Sequence, residues 1–234
     1  MKKFLASIAL TGALLSGAAM AADVKVAPAP ASSYNWDGFH IGALGTYGWA
    51  QSHHCDAVNC PDNPVPDSGP TVNGTGFGGG AEVGFDKTFN NVLLGVEADY
   101  SFIGINGSAP SQVTPSYGCV GNCITNVTGL GTARLRVGLP LNNILPYLTG
   151  GLAISSVHGQ LGTLGGSDTT FVNATAGAGV EFGVTPNISL KAEYLHIFDN
   201  GQRFIFLPTG CVAPGCSINH YSDDLARVGI NFRF

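Results

Sequence analysis

The chain has 234 residues, of which only 11% are charged, and its formal net charge is −5. Soluble domains average about 25% charged residues, so this chain is poor in the groups that keep a water-facing surface soluble. The negative balance argues against a nucleic-acid partner, because phosphate binding requires a basic stripe. No window of 18 continuously apolar residues follows the N-terminal segment, which excludes membrane-spanning helices.

Residues 1–21 have the pattern of a secretory signal peptide. Two lysines open the segment, the apolar run Phe4–Leu15 follows, and a small-residue cleavage site ends at Ala21. The apolar run is shorter than the roughly 18 to 20 residues of a spanning helix. Residues 22–35 are rich in Ala, Pro and Ser, which indicates a flexible periplasmic leader before a folded domain at 36–234.

The folded domain alternates apolar and polar residues with a period of two, which predicts β-strands. Most of the predicted strands are long enough to cross a bilayer, which takes about 9 to 11 tilted residues. Eight strands are expected at residues 37–51, 74–87, 92–106, 127–139, 144–157, 170–184, 188–199 and 221–234.

The connections between these strands alternate between short and long without exception. "TFNN", "PLNN" and "TPN" are short, whereas the other four connections are long and rich in Gly, Ser, Pro and Asn. A meandering barrel would collect the short turns at one end, as outer-membrane barrels do. The predicted fold class is therefore all-β: an eight-stranded antiparallel up-and-down transmembrane β-barrel.

The two faces of the strands indicate which side is inside. The polar faces consist mainly of Gly, Ser, Thr and Asn with isolated charges, as expected for the narrow lumen of a small barrel. The apolar faces would then meet lipid, with aromatic residues near the membrane interfaces and Trp36 at the periplasmic rim. A soluble barrel with a solvated polar face is the alternative.

Six acids and five bases lie on the polar faces, and this near-balance suits a closed lumen because an unpaired buried charge is costly. We predict that they form one charge network in the lumen: Glu82, Asp86, Glu97, Asp99, Arg134, Arg136, Glu181, Lys191, Glu193, Arg227 and Arg233.

Several segments resemble the small outer-membrane β-barrel proteins of Gram-negative bacteria. They include "YNWDGFHIGALGTYGW", "LLGVEADYSF", "GTARLRVGL" and the terminal "ARVGINFRF". The chain is similar to the outer-membrane immunogenic protein / porin family of surface antigens, which is related to the outer membrane protein A barrel. The resemblance implies location in the cell outer membrane, contact with outer-membrane lipid, and insertion by the barrel-assembly machinery.

The same resemblance gives the C-terminus a role. Barrels of this family end in an aromatic residue preceded by apolar residues at every second position, and the assembly machinery reads that end. The residues that match this assembly signal are Val228, Ile230, Phe232 and Phe234.

Six cysteines form three close pairs, and none lies in a predicted strand. An exported chain meets an oxidising compartment, so disulfides within each long loop are expected, although cross-loop pairing stays open. Each small ring would contribute about 2 kcal/mol. The candidate disulfide cysteines are Cys55 with Cys60, Cys119 with Cys123, and Cys211 with Cys216.

We expect neither a metal nor a cofactor. His53 and His54 precede Cys55 and could form a mixed site with Cys60, but a disulfide would remove both thiolates. Catalysis is not expected either. Ser155, Ser156 and His158, with Asp223 and Asp224, form no recognisable catalytic spacing in the sequence.

The sequence predicts a monomer with a structural or interaction role, a plugged lumen and disulfide-stapled surface loops that could contact host or environmental ligands. An eight-stranded barrel encloses only enough space for its own side chains. The alternative from another class is a narrow porin-like channel for small solutes. A third is a lipid-modifying enzyme.

Overall fold

The computed structural model describes residues 34–56, 70–110, 122–161, 166–199, 204–206 and 216–234. Almost all of them lie in antiparallel strands. The strands are β1 (Gly38–Asp56), β2 (Thr71–Phe89), β3 (Val92–Pro110), β4 (Asn122–Gly138), β5 (Ile144–Leu161), β6 (Gly166–Thr185), β7 (Ile188–Ile197), β8 (Phe204–Phe206) and β9 (Cys216–Arg233).

Eight of these strands form a closed ring in sequence order. Each neighbours the next along the chain, β7 pairs with β9, and β9 pairs with β1 to close the barrel. The three-residue β8 adds to β9 outside this order. The predicted eight-stranded antiparallel barrel is confirmed. The described residues include no helix with the length and hydropathy to cross a membrane.

Tight turns collect at one end of the barrel, which we call the turn end; the opposite end is the loop end. Asn90 and Asn91, between β2 and β3, both have positive φ, at 47° and 67°. A two-residue hairpin turn of type I′ requires this conformation at both positions, and Asn tolerates it well. The connections β4–β5 and β6–β7 also lie at the turn end.

The strands are longer than the sequence predicted, mainly at the loop end. Residues 52–56 and 71–73 were assigned to the first long connection, yet they pair with each other or with β9. Many of the described strands span 17 to 20 residues, about twice the length that a bilayer crossing needs. The barrel wall therefore continues well beyond one membrane thickness.

The turn-end half has an apolar outer surface. Large apolar side chains point outward there, with Phe77 77%, Phe102 72%, Leu148 67% and Val228 64% exposed. Such a band is what the hydrocarbon region of a membrane requires of a barrel. The prediction that the oily face lies outside is confirmed for this half.

The loop-end half has the opposite polarity. Val72, Ile105 and Val157 point inward and are each 1% exposed, whereas Asn106 and Ser108 lie exposed on the outer face. Apolar inside and polar outside is the arrangement of a water-soluble barrel. A single polarity for the whole barrel, which the sequence analysis assumed, is therefore wrong for this half.

The change of polarity occurs within continuous strands. In β3, the outward Phe102 is followed directly by the inward Ile103, which is 4% exposed. Because successive residues face opposite sides, two adjacent apolar residues shift the apolar pattern from the outer to the inner face. A turn is not needed for this shift, although β3 and β4 also change register next to Phe102.

Candidate functional site: the barrel interior

All eleven residues of the predicted charge network point into the turn-end half of the barrel. Their relative exposures lie between 0% and 8%. Inward positions on β2, β3, β4, β6, β7 and β9 supply them, so charges from strands distant in sequence meet across the lumen. Buried charges need such pairing, because removing them from water is expensive.

Arg134 on β4 joins three carboxylates. Its Nη1 donates to Glu193 Oε2 at 2.8 Å, and its Nη2 donates to Asp99 Oδ2 at 2.9 Å and also to Glu97. Arg227 on β9 approaches the same group, with Nη2 2.6 Å from Asp99 Oδ1 and Nη1 3.3 Å from Glu193 Oε1. Two guanidinium groups thus share three acids.

Arg136 forms a second centre nearer the turn end. Its Nε donates to Asp86 Oδ1 at 2.7 Å, its Nη2 donates to the other oxygen of Asp86, and its Nη1 donates to Glu181 Oε2 at 2.9 Å. The two contacts with Asp86 form the bidentate arrangement that fits a guanidinium to a carboxylate. Arg233 Nη1 also donates to Asp86, at 2.8 Å.

Lys191 connects the remaining acids. Its ammonium group donates to Glu97 Oε1 at 2.8 Å and to Glu82. His40, Glu82 and Glu97 together place metal-ligand atoms within 4.8 Å of one another. The Lys191 ammonium already bonds both carboxylates, so these residues act as an ion-pair cluster in this structure.

Several interior partners were missed by the sequence analysis. His40 lies with Nδ1 3.3 Å from Asp86 Oδ2, and the Tyr147 hydroxyl donates to Glu193 at 2.9 Å. Thr132 and Ser189 donate to Asp99 and Glu181. All of these residues occupy inward positions, so the period-two pattern could have identified them. The prediction considered only formal charges.

Asp223 is a further interior carboxyl group that was missed. Its side chain is 1% exposed and accepts a hydrogen bond of 3.2 Å from the Tyr221 hydroxyl. No salt bridge joins it to a base among the described residues. It lies at the boundary between the charge network and the apolar half.

The N-terminal segment packs under the charge network at the turn end. Trp36 is 3% exposed, and its Nε1 donates to the carbonyl of Asn142 at 3.0 Å. Its own carbonyl accepts a 2.6 Å hydrogen bond from Arg233. Tyr34, Leu93, Leu145 and Tyr147 complete this cluster. Trp36 is thus at the predicted end of the barrel, but inside it and not on the rim.

An apolar core fills the interior on the loop-end side of the network. Phe171 stacks on Tyr221 with ring centroids 5.4 Å apart, and Leu130, Ile105 and Leu195 are each at most 1% exposed. These residues belong to one continuous buried cluster. The interior therefore consists of an aromatic cluster, an ionic layer and an apolar core, in that order from the turn end.

The cysteines differ from the prediction in position. Cys55, Cys123 and Cys216 lie in β1, β4 and β9, because the strands extend into the predicted loops. The placement outside strands was therefore wrong for these three. Cys123 takes part in a disulfide. Cys60, Cys119 and Cys211 lie outside the described residues, so the pairing stays a prediction.

His53 and His54 do not converge on one site. His54 points inward and its Nε2 lies 2.7 Å from Thr125 Oγ1, whereas His53 faces outward with Nδ1 3.2 Å from Thr71 Oγ1. Burial, together with the charge of His53, lowers the pKa of His54 to about 4. A metal site that uses both histidines would need a different local register.

Ser155 and His158 are also separated by the alternation of β5. Ser155 is fully buried inside the barrel. His158 points outward, with Nδ1 2.7 Å from Asp168. Asp223 faces inward and Asp224 outward. Ser156 shares the outward face of His158, but Asp224 contacts His196 on β7 and Asp223 contacts Tyr221. The five predicted residues therefore do not assemble into one serine, base and acid constellation.

The residues of the predicted assembly signal share the outer face of β9. Val228, Ile230, Phe232 and Phe234 are between 45% and 69% exposed. They lie opposite the inward Arg227 and Arg233 on the same strand.

Comparisons with known proteins identify the relatives of this barrel. The family model described as outer membrane protein beta-barrel domain matches residues 9–234. The 31 kDa outer-membrane immunogenic protein of Brucella melitensis is 33% identical over 247 residues, covering 98% of each chain. The 22 kDa outer membrane protein of Rhizobium leguminosarum bv. viciae is 31% identical, covering 88% of this chain and 80% of the relative.

Among solved structures, the outer membrane protein OprG from Pseudomonas aeruginosa superposes with a TM-score of 0.54. The match covers 88% of this chain and all of OprG, at 11% sequence identity, and so concerns the fold alone. The extent of the family match and the sequence identity to the Brucella protein carry the assignment. This chain belongs to the outer membrane protein beta-barrel domain family, and its location is the cell outer membrane.

Proposed function

We propose that the protein is a closed barrel that anchors loops at the cell surface and has a structural or interaction role. The observation that carries the proposal is the filled interior. An ionic layer and an apolar core occupy successive levels of the same lumen. Both would have to open before a solute could pass.

The ionic layer is a substantial barrier by itself. Breaking a buried ion pair by removing one partner costs about 3–5 kcal/mol, and a permeating solute would disturb several pairs. The apolar core beyond it excludes water. The interior space beside Ala50, Val72, Ile105 and Val127 is too small to hold a water molecule.

The long connections are the second part of the proposal. Family barrels place short turns in the periplasm and long loops outside the cell, so the loop end would face the surroundings. The Brucella relatives are named immunogenic proteins, which is consistent with exposed loops. Disulfides between the predicted cysteine pairs would stiffen those loops. Host or environmental molecules are then the candidate ligands.

The remaining proposed partners are the surrounding lipid and the machinery that inserts the barrel. Outer-membrane lipid would surround the apolar band, and the assembly machinery would read the C-terminal residues of β9. The barrel closes within one chain through the β1–β9 pairing, which supports a monomer. The separation of Ser155 from His158 supports a role that is not enzymatic.

Conductance across planar lipid bilayers tests the closed lumen. The refolded wild-type protein, verified by its heat-shifted gel mobility, should give no steady openings. A Leu130→Ala/Phe171→Ala variant thins the apolar core and should raise the frequency of brief openings. Ala81→Leu, on the outer face, is the matched control. Steady wild-type openings would favour the porin-like alternative.

Epitope tags test the orientation of the loops. A tag inserted between Asp62 and Asn63, within the first long connection, should be stained on intact cells. A tag at Asn187, in the short β6–β7 turn, should be stained only after the outer membrane is permeabilised. Staining of the Asn187 tag on intact cells would overturn the proposed orientation.

A further inference from the structure

The outer surface carries a groove centred on β9, which we call the β9 groove. It has a volume of about 820 Å³. Small residues form its floor, and aromatic rings form its walls: Gly45, Ala226, Ala192 and Ala178 on the floor, Tyr47 and Tyr194 on the walls. It lies on the apolar band that faces the membrane, so its surroundings are acyl chains.

Strand register explains the shape of the groove. Ala226 pairs with Tyr47 of β1 on one side and with Tyr194 of β7 on the other. A methyl group therefore lies between two tyrosine rings at the same height. The outward neighbour of Ala226 toward the turn end is Val228, also a lining residue. An acyl chain could lie along β9 between the rings.

A polar cluster lies at the loop-end opening of the β9 groove. Asp224 is the next outward residue of β9 after Ala226, and its register partners are Trp49 and His196. The Tyr194 hydroxyl donates to Asp224 Oδ1 at 2.5 Å, and His196 Nδ1 lies 2.7 Å from the same oxygen. Trp49 lies beside Asp224 on the neighbouring strand β1.

The cluster around Asp224 differs from an ordinary aromatic girdle because it contains a carboxylate. A charged group in the hydrocarbon region is destabilising, so Asp224 marks the level where headgroups begin. The side chains of Asp224 and His196 are 27% and 35% exposed. They remain accessible to a molecule in the membrane.

The chemistry of the cluster favours a headgroup that donates hydrogen bonds. A carboxylate accepts hydrogen bonds and repels phosphate, and no Lys or Arg lies among the cluster residues Trp49, Tyr194, His196 and Asp224. The rings of Trp49 and Tyr194, with centroids 6.3 Å apart, offer apolar surfaces beside the carboxylate. Sugar rings combine donor hydroxyls with apolar faces.

We propose that the β9 groove and the Asp224 cluster form a binding site for a sugar-headed lipid of the outer leaflet. One acyl chain would occupy the groove between Tyr47 and Tyr194, and sugar hydroxyls would contact Asp224 and His196. The proposal rests on the orientation given under the proposed function, because only loop-end residues reach the outer leaflet in that orientation.

Native mass spectrometry of the full-length refolded protein in detergent micelles tests the site. The probes are an acylated glucosamine disaccharide without phosphates and a phosphatidylglycerol of matched acyl length. The wild-type protein should retain one copy of the glycolipid, with at least a tenfold preference over phosphatidylglycerol. Ala226→Leu, which fills the groove, and Asp224→Asn, which removes the charge, should each weaken retention about tenfold. Ala81→Leu changes an outward alanine that lies outside the groove lining and should retain the lipid as the wild type does.

Three outcomes would overturn the proposal. The first is equal retention by wild type, Ala226→Leu and Asp224→Asn, which indicates non-specific surrounding lipid. The second is equal retention of phosphatidylglycerol. The third is a wild-type dimer that Ala226→Leu converts to monomer, which assigns the groove to a second copy. Heat-shifted mobility and tag staining are measured on the same variants, so a failure of the proposed orientation is recognised separately.

Discussion

Replacing Arg134 by methionine removes the cation that contacts Glu97, Asp99 and Glu193 in the lumen. Methionine keeps an unbranched apolar chain in the same space, so the change acts mainly through charge. All four side chains are at most 1% exposed. Water cannot readily replace the lost guanidinium.

The expected cost follows from the contacts that remain. Loss of one partner of a buried ion pair costs about 3–5 kcal/mol. Glu97 keeps the ammonium of Lys191 at 2.8 Å, and both Asp99 and Glu193 keep the guanidinium of Arg227. No carboxylate is left without a cation. We therefore expect a loss near the lower limit, about 3 kcal/mol of unfolding free energy.

Reversible urea unfolding in phospholipid vesicles, followed by tryptophan fluorescence, measures this loss. Lys87→Met is the matched control, because Lys87 pairs with Asp37 at 2.7 Å but the two side chains are 53% and 29% exposed. An exposed pair of this kind contributes about 0–1 kcal/mol. Equal losses in the two variants would refute the reasoning, since they would mean that water reaches the lumen charges.

Three further predictions concern the outer face of the barrel, His54 and the C-terminal residue. Val228→Arg should lower the unfolding free energy by about 2–4 kcal/mol. Ser108→Arg, on the polar outer face, should change it by less than about 0.5 kcal/mol. Equal losses of unfolding free energy in the two variants, measured in vesicles, would contradict the position of the membrane. The pKa of His54 is lowered to about 4, below its unfolded value of about 6.5, so the unfolded state takes up the proton first. The unfolding free energy should therefore decrease by about 3 kcal/mol as the pH falls from 6.5 to 4. If a His54→Phe variant showed the same decrease over this pH range, His54 would be excluded as its cause. Phe234→Ala should reduce the amount of protein in the outer membrane of cells while refolded protein keeps its heat-shifted mobility; normal membrane levels would remove the assembly role.

The strand count and the outward face of the turn-end half were predictable from the sequence. The pattern in β3 is local: outward Leu94, Val96 and Ala98 alternate with Glu97 and its inward neighbours. A local pattern of this kind can be read from the sequence without knowing the partner strands. The same holds for the asparagine turn between β2 and β3.

The polarity change was not predicted, although its signal is present in the sequence. Ile103 and Ile105 continue the alternation of β3 after Phe102, but with the apolar residues on the other face. The predicted strand 92–106 contained both isoleucines, but one polarity was assumed along its whole length. This change of face is the boundary between a membrane barrel and its water-exposed extension.

The contacts within the lumen could not be derived from the sequence. Lys191 reaches Glu82 across 109 residues of chain, and that meeting depends on the stagger of all intervening strands. The sequence identifies which side chains point inward. It does not determine which of them face each other across the lumen.

Spin labels placed along the outer face of β3 test the central claim, the reversal of polarity within one barrel, most directly. Labels at Leu94, Val96, Ala98 and Phe102 should be accessible to oxygen, which concentrates in lipid. Labels at Asn106 and Ser108 should be accessible instead to a water-soluble nickel complex. The account would be contradicted if labels at Val96 or Ala98 were accessible to the nickel complex. It would also be contradicted if a label at Ser108 were as accessible to oxygen as the labels in lipid.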